Sequence, residues 1–329
     1  MTRPVKSEEG LVCCVVGDKQ YALRGDDVRQ IVRVEKMRPL GAMSTTSSGS
    51  DSRAGTIELS GQTVPVFRLA NVLGRAGRSA AAGGHHIAVT GERGELVGWL
   101  VDRVVRTTMS QDAQVVALPA VVGPTATSWF EALVKIGGTS ILLMAPQYMN
   151  PLAHRPARLD ATRAFSVASR KKTGDSAEQV VLLFATPALP PCAAPRFALS
   201  GRQVAAIAQP MQTIPVPGSA PHVTGVTWWR NVVVPVIDFR GPGEHDDAVQ
   251  RRRQVIAQCG PRLGSTLVAF AVDSEIAMHR PGATDQRAAG VACPSFAAGM
   301  FDIGGEPVAL LDLDALLAPV QSQAEGIPA

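Results

Sequence analysis

Aromatic residues are scarce in this chain: they make up 5% of 329 residues, and only two are tyrosines. Charge is sparse too, at 18% with a net +4. A nucleic-acid surface interleaves basic clusters with aromatics. The tight basic clusters here, Arg251-Arg252-Arg253 and Arg170-Lys171-Lys172, have no such interleaving and read as solvated charge. Nucleic acid is therefore not an expected partner. Long apolar runs are missing as well. None approaches the roughly 18 residues that a membrane helix needs, and "MTRPVKSEEG" at the start has no apolar signal region. The expectation is a cytoplasmic protein with no direct membrane insertion. Cysteine occurs at positions 13, 14, 192, 259 and 293, never as Cys-x-x-Cys. These read as reduced, mostly buried thiols. Cys13 and Cys14 are adjacent, so on a strand they point to opposite faces.

Catalytic signatures are also lacking. No phosphate loop, dinucleotide fingerprint or nucleophile elbow sits between a strand and a helix. "GEHDDA" (Gly243 to Ala248) holds a histidine and three carboxylates, but in a Gly/Pro turn without ligand spacing. His85 and His86 begin a strand and diverge. Asp102 and Asp273 end similar apolar strands. Accepting backbone N–H groups there suits them better than forming a catalytic pair, which would have to converge in a cleft. No histidine lies on an amphipathic four-helix pattern, so there is no phospho-acceptor helix. The expectation is no catalysis, no cofactor and no metal.

What the sequence does have is proline (24), glycine (31) and short valine-rich runs. Many short strands joined by turns follow, an all-β class. Two runs share an odd design: "QTVPVFRLA" (Gln62 to Ala70) and "VVVPVIDFRG" (Val232 to Gly241). Proline cannot donate to a sheet ladder, so its place within a strand needs a reason. Aligning Pro65 with Pro235 sets an offset of 170 and puts Gly55 on Gly225, Val64 on Val234, Val66 on Val236 and Leu69 on Phe239. Three further blocks align in the same order. "YALRGDDVRQIV" (from Tyr21) matches "FALSGRQVAAIA" (from Phe197) at 176, "GWLVD" matches "AFAVD" at 171, and "KIGG" matches "DIGG" at 167. The chain is an internal repeat. The drift places a six-residue excess of copy one near the Ser/Thr/Gly run from Gly41 to Ala54.

Each copy predicts three hairpins. In copy one they turn at Ser60-Gly61, near Arg93-Gly94 and at Gly137-Gly138. In copy two they turn at Arg230-Asn231, between Gly260 and Gly264, and at Gly304-Gly305. "DLDALL" from Asp312 predicts a short closing helix. The expected organisation is a tail at 1–9, domain one at 10–149, a polar and basic linker at 150–178, domain two at 179–319 and a tail at 320–329.

The stretch "GVTWWRNVVVPVIDFRG" (Gly225 to Gly241) resembles the signature of CheW-like domains of bacterial chemotaxis, Gly-[IV]-x-x-x-Arg-Gly-x-[VI]-x-Pro-Val-[IV]-Asp-Leu-Arg. The "YAL"-like block, Val216-Pro217, the late strands ending in Val-Asp and the closing "DLDALL" fall in that family's order. The resemblance implies two tandem CheW-like domains, each of two small five-stranded SH3-like barrels packed on a shared apolar core. It also implies a non-enzymatic scaffold binding chemoreceptors, the histidine kinase CheA or other CheW-like proteins, and so an association with membrane-bound receptor arrays. The same fold recruited outside classical chemotaxis, to polar localisation or to a pilus or gliding system, is the alternative. Copy one departs from the signature, with Ser60 at the turn arginine and Arg68 and Ala70 in place of the later Asp and Arg. Copy two keeps Arg230, Asp238 and Arg240, replaces the turn glycine by Asn231, and adds Trp228 and Trp229. The expected partner-binding residues are therefore Arg230, Asp238, Arg240, Trp228 and Trp229. Alternation places one tryptophan inside and one outside, and an outer tryptophan beside arginine suits an interface.

Overall fold

The structure, a computed structural model, describes residues 10–39, 52–74, 86–91, 95–109, 113–145, 180–185, 196–220, 222–239, 252–259, 266–272, 275–280, 282 and 296–317. Outside them lie both expected tails, the linker, most of the Ser/Thr/Gly run, His85, Cys192, Arg240, Asp273, Cys293, the basic clusters apart from Arg252 and Arg253, and the turn carrying "GEHDDA". The chain divides into two compact units, chiefly Met1–Ala120 with Pro124–Leu159, and Asp160–Pro215 with Ser219–Ala329.

The first unit contains β1 (Gly10–Val16), β2 (Lys19–Arg24), β3 (Val28–Arg33), β4 (Arg38–Pro39), β5 (Arg53–Leu59), β6 (Gln62–Arg68), β7 (His86–Thr90), β8 (Val97–Val101), β9 (Arg103–Met109), β10 (Ala113–Ala117), β11 (Phe130–Ile136) and β12 (Thr139–Met144). Two short helices, α1 (Leu69–Val72) and α2 (Pro124–Trp129), join them. Its sheets run β10-β11-β12-β2-β1-β9 and β3-β7-β8-β6-β5-β4. The second unit contains β13 (Val181–Ala185), β14 (Arg196–Ser200), β15 (Val204–Ala208), β16 (Val223–Trp229), β17 (Val232–Ile237), β18 (Arg253–Gln258), β19 (Leu267–Val272), β20 (Ile276–His279), β21 (Ala297–Ile303), β22 (Glu306–Leu311) and the helix α3 (Leu313–Leu316). Its sheets run β20-β13-β14-β22-β21 and β15-β18-β19-β17-β16. The five strands of each second-unit sheet correspond in order to five of the first unit's. Copy one has six strands per sheet where five were expected. Among the described residues the additional strands are β10, whose equivalent stretch in copy two lies outside the described residues, and the two-residue β4, which copy two reduces to a single bridge, Ile214 to Val226.

In the second unit one apolar core joins both sheets. It contains Leu182, Phe184, Phe197 and Leu199 from one sheet and Ile237, Val255, Phe270 and Val272 from the other. The opposite faces close on smaller cores, one around Val234, Val236 and Ile256, the other around Val181, Leu183 and Val308. Each sheet is thus buried on both faces. The same arrangement explains the adjacent cysteines of copy one: Cys13 and Cys14 face opposite ways and are both fully buried.

The prolines find their reason in register. Both residues of the turns Ser60-Gly61 and Arg230-Asn231 have positive φ, 49° with 79° and 47° with 65°. That is the two-residue turn whose twist matches a hairpin. Such a turn is closed by a hydrogen-bonded pair, here Leu59–Gln62 and Trp229–Val232, and hydrogen-bonded and open pairs then alternate along the ladder. Thr56–Pro65 and Val226–Pro235 each fall three steps along, on an open pair. The proline nitrogen therefore faces the other neighbour. There the parallel pairing starts one residue later, at Val66–Gly98 and Val236–Ala269. Neither ladder asks the proline for a donor, so it sits inside an interior strand without leaving a bond unmade.

Gly55 and Gly225 have a matching cause. Both follow a shift of register in their strand. A Cβ at Gly55 would lie 2.3 Å from the Arg38 carbonyl oxygen, and one at Gly225 would lie 2.3 Å from that of Ile214. A neighbouring backbone crosses there in both copies, and only glycine fits.

Candidate partner-binding hairpin

The β16–β17 hairpin carries three of the five expected site residues. Trp229 faces the smaller core of its sheet, against residues such as Val234 and Ile256. The Arg230 guanidinium lies over its ring, 4.7 Å from the centroid. This is a cation–π contact, and it holds the exposed arginine at the tip of the turn. Trp228 pairs with Val233 on the other face. Its indole Nε1–H is buried and meets no acceptor among the described residues. The alternation is as expected, but neither tryptophan is fully inside or outside: both are half-buried. Val232, beside the turn, is also exposed.

Asp238 stands apart. It follows the end of β17, six residues beyond Val232, so a strand rise of about 3.3 Å per residue puts it roughly 20 Å from the turn. It is fully buried, and its N–H donates to the His222 carbonyl at 3.1 Å. Burial holds the His222 imidazole below its ordinary pKa of 6.5, in the neutral form. The five expected residues therefore do not form one patch. Trp228, Trp229 and Arg230 cluster at the tip, Asp238 fixes the far end of the strand from within, and Arg240 lies outside the described residues.

The hairpin of copy one has the same backbone and a different surface. Glu58 and Thr63 stand where copy two has Trp228 and Val233, and Thr63 Oγ1 donates to the Glu58 carboxylate at 2.8 Å. Arg68, at the position of Asp238, is exposed, and its N–H donates to the Ser52 carbonyl.

The other chemistry-bearing residues are structural where they can be placed. Asp102 Oδ2 accepts from the Gly17 N–H at 2.6 Å, the strand-end role expected of it. Asp312 caps α3 by accepting from the Ala315 N–H at 3.1 Å. Burial pushes the Cys14 thiol up to about 12, with Cys13 beside it adding to the shift. Burial and the Asp314 carboxylate push the Cys259 thiol up to about 11. Both are therefore thiols at neutral pH, without the thiolate that nucleophilic chemistry needs. Sequence reasoning missed a buried ion pair, Arg24 Nε to Glu131 Oε1 at 2.5 Å. The two residues lie 107 positions apart, and no local pattern links them.

Residues 10–149 and 191–321 each match the family model for the CheW-like domain. Among solved structures, the scaffolding protein TtCheW from Thermoanaerobacter tengcongensis is similar at 20% identity and a TM-score of 0.35, over 44% of this chain and 86% of that one. No curated protein matches the chain. No described helix is long and apolar enough to cross a membrane. With both repeats matched, in the order and with the strand correspondence just described, this chain belongs to the CheW-like domain family and carries the domain twice.

Proposed function

We propose that this protein is a non-enzymatic adaptor of a chemosensory system, binding chemoreceptors, the CheA kinase or both through the hairpin of its second domain. The observation that carries the reading is the tip of that hairpin. It presents a half-buried tryptophan, an exposed valine, and an arginine held in place over a second ring. Tryptophan and arginine are the residues that dominate protein interfaces, and the guanidinium fork suits a carboxylate on the partner. Asp238 supports the strand that carries this tip and does not touch the partner. Membership of the CheW-like family supplies the partner class, and the doubled domain suits a protein that joins two components. Two modules on one chain raise each other's effective concentration, so weak contacts suffice.

The test is direct binding of wild type, Arg230→Ala and Arg240→Ala to a receptor cytoplasmic fragment and to the kinase regulatory domain. Loss of an interface anchor costs about 2 kcal/mol, a drop of roughly 30-fold. Unchanged affinity for both targets in both variants would remove the hairpin from the account. The different hairpin of copy one favours a second reading, an adaptor recruited to another polar or motility system. Failure of the wild-type chain to bind either target would select it.

A further inference from the structure

Two of the chain's four tryptophans use the indole N–H in opposite ways. Trp99 is fully buried and donates to Thr90 Oγ1 at 2.8 Å. Trp228 is half-buried, yet its Nε1–H is covered and meets no acceptor among the described residues. That reverses the usual arrangement, in which a tryptophan near a wet surface buries its hydrocarbon and leaves the N–H to water or to a partner. A covered donor without an acceptor is rare in native structures and calls for an explanation.

The hairpin itself supplies no acceptor. Trp228 stands on an open pair opposite Val233, next to the pair that closes the turn, and valine offers only methyl groups. The Thr227 hydroxyl belongs to the other face of β16 and donates to the Gln212 carbonyl at 2.9 Å. The Trp229 ring and the Arg230 guanidinium over it also lie on that other face. Copy one fills the same two positions with a pair that satisfies itself, Thr63 Oγ1 donating to the Glu58 carboxylate. Copy two thus carries an unpaired donor where copy one has a closed hydrogen bond. It does so beside the turn arginine and the exposed Val232.

We propose that Trp228 determines the specificity of this surface: on binding, its ring turns about the side-chain torsions and its Nε1–H donates to a carbonyl or carboxylate oxygen of the partner. The inference rests on the reading of this hairpin as the partner-binding surface. Rotamer changes of this kind are common where interfaces form. The bound partner supplies the acceptor that the free hairpin lacks. A partner without that oxygen leaves the donor unpaired again, so the same group that favours one partner rejects another. Because Trp228 and Arg230 lie on opposite faces of the strand, the two residues read separate groups: a carboxylate at the arginine and a second oxygen at the tryptophan.

The test compares the full chain, Trp228→Phe and Arg230→Ala for binding to the receptor cytoplasmic fragment and the kinase regulatory domain. Phenylalanine keeps an aromatic ring and removes the donor. Trp228→Phe should bind about tenfold more weakly, the scale of one lost hydrogen bond. Its Cys259 thiol should label no faster than in wild type, because the fold loses a stranded donor and no bond. A role in packing alone would show the opposite, faster labelling with unchanged affinity. A second readout needs no variant in the complex. The indole N–H resonance of Trp228, identified by its absence from the Trp228→Phe spectrum, should move downfield when the bound fragment supplies an acceptor. A Trp228→Phe chain that binds like wild type, or a resonance that stays in place in the complex, overturns the inference. If Arg230→Ala is weakened in that case, the hairpin remains the binding surface. If both variants bind like wild type, or wild type binds neither fragment, the reading of the hairpin falls and this inference with it.

Discussion

The two domains share one topology and fill it differently. In the first, the core is partly polar. Trp99 Nε1–H donates to Thr90 Oγ1 at 2.8 Å, Arg24 meets Glu131, and Cys14 pairs across the ladder with Tyr21. In the second, apolar residues stand at the positions of Trp99, Thr90, Cys14 and Tyr21, Ser200 stands for Arg24, and the buried polar residues Thr213, Thr227, Asp238 and Gln254 lie elsewhere. Phe270 and Ala257 stand for Trp99 and Thr90, and Phe184 and Phe197 stand for Cys14 and Tyr21. Five phenylalanines, Phe184, Phe197, Phe239, Phe270 and Phe296, stack in one continuous group, the closest pair, Phe197 and Phe239, 4.6 Å apart. The replacements are coupled. An indole brings an N–H that must be satisfied when buried, so Trp99 comes with Thr90, while phenylalanine needs no partner and alanine suffices. What the copies share is where the backbone has no freedom: glycine at the crossing, proline on the open pair, and the turn of two positive φ values. The difference teaches that the fold is specified by backbone exceptions and that the core is negotiable within them.

The comparison can be broken at several points, and the buried thiols allow each copy to be read separately. In a Cys192→Ser, Cys293→Ser background, labelling of Cys13 and Cys14 reports opening of the first copy and labelling of Cys259 reports the second. All three are buried and react only on unfolding. The largest effect is expected at the ion pair. Glu131→Leu leaves a buried guanidinium without that carboxylate and should cost the first copy about 3–5 kcal/mol. Adding Arg24→Met should recover most of the loss, because an apolar pair of similar size is often neutral. A double variant as unstable as the single one would mean the pair is not a coupled unit.

Next is the crossing glycine. Gly55→Ala and Gly225→Ala should each cost about 2–3 kcal/mol, the scale of overpacking against a backbone that must shift. Each loss should be confined to the copy that carries it, and equal stability to wild type in urea would refute the close approach. The tryptophan pair follows. Thr90→Ala should cost about 1–2 kcal/mol by stranding the indole N–H. The same substitution in a Trp99→Phe background should cost less than half as much, as the second copy's Phe270 with Ala257 implies. Equal costs in both backgrounds would uncouple the two residues.

The smallest effect is a pH dependence. His222 has its pKa lowered by burial, so the unfolded chain binds the proton more tightly. Stability of the second copy should be full above pH 6.5 and fall as pH drops below it, in the window before the carboxylates titrate. The first copy has Ser52 at that position and should lack this contribution. His222→Ser should flatten the second copy's profile between pH 7 and 5.5, and an unchanged slope would assign the loss elsewhere.

Much of this was legible before any coordinates. The three hairpins expected in each copy are present, because prolines, glycines and turn residues act locally and leave local marks; the β1–β2 hairpin was not among those expected. The all-β class, Asp102 at its strand end and the Asp312 cap followed from the same kind of signal. The partner surface was legible only in part. Family resemblance grouped Arg230 with Asp238, yet a single extended strand separates them and burial removes Asp238 from contact. A motif written along a strand cannot show that its ends lie roughly 20 Å apart in space. The Arg24–Glu131 pair joins residues 107 positions apart, so no window of residues contains it.

The central claim is that the second domain's hairpin surface, and not its fold, makes it the binding copy. The measurement is a transplant of the first copy's turn: Trp228→Glu, Trp229→Leu, Arg230→Ser and Asn231→Gly together, with affinity measured for the receptor fragment and the kinase regulatory domain. Ser-Gly supports the same turn at residues 60–61, so the variant should keep its fold, as a thiol-labelling profile at Cys259 like that of wild type would show. The account predicts that this folded variant loses at least tenfold in affinity. A folded variant that binds as tightly as wild type would contradict it.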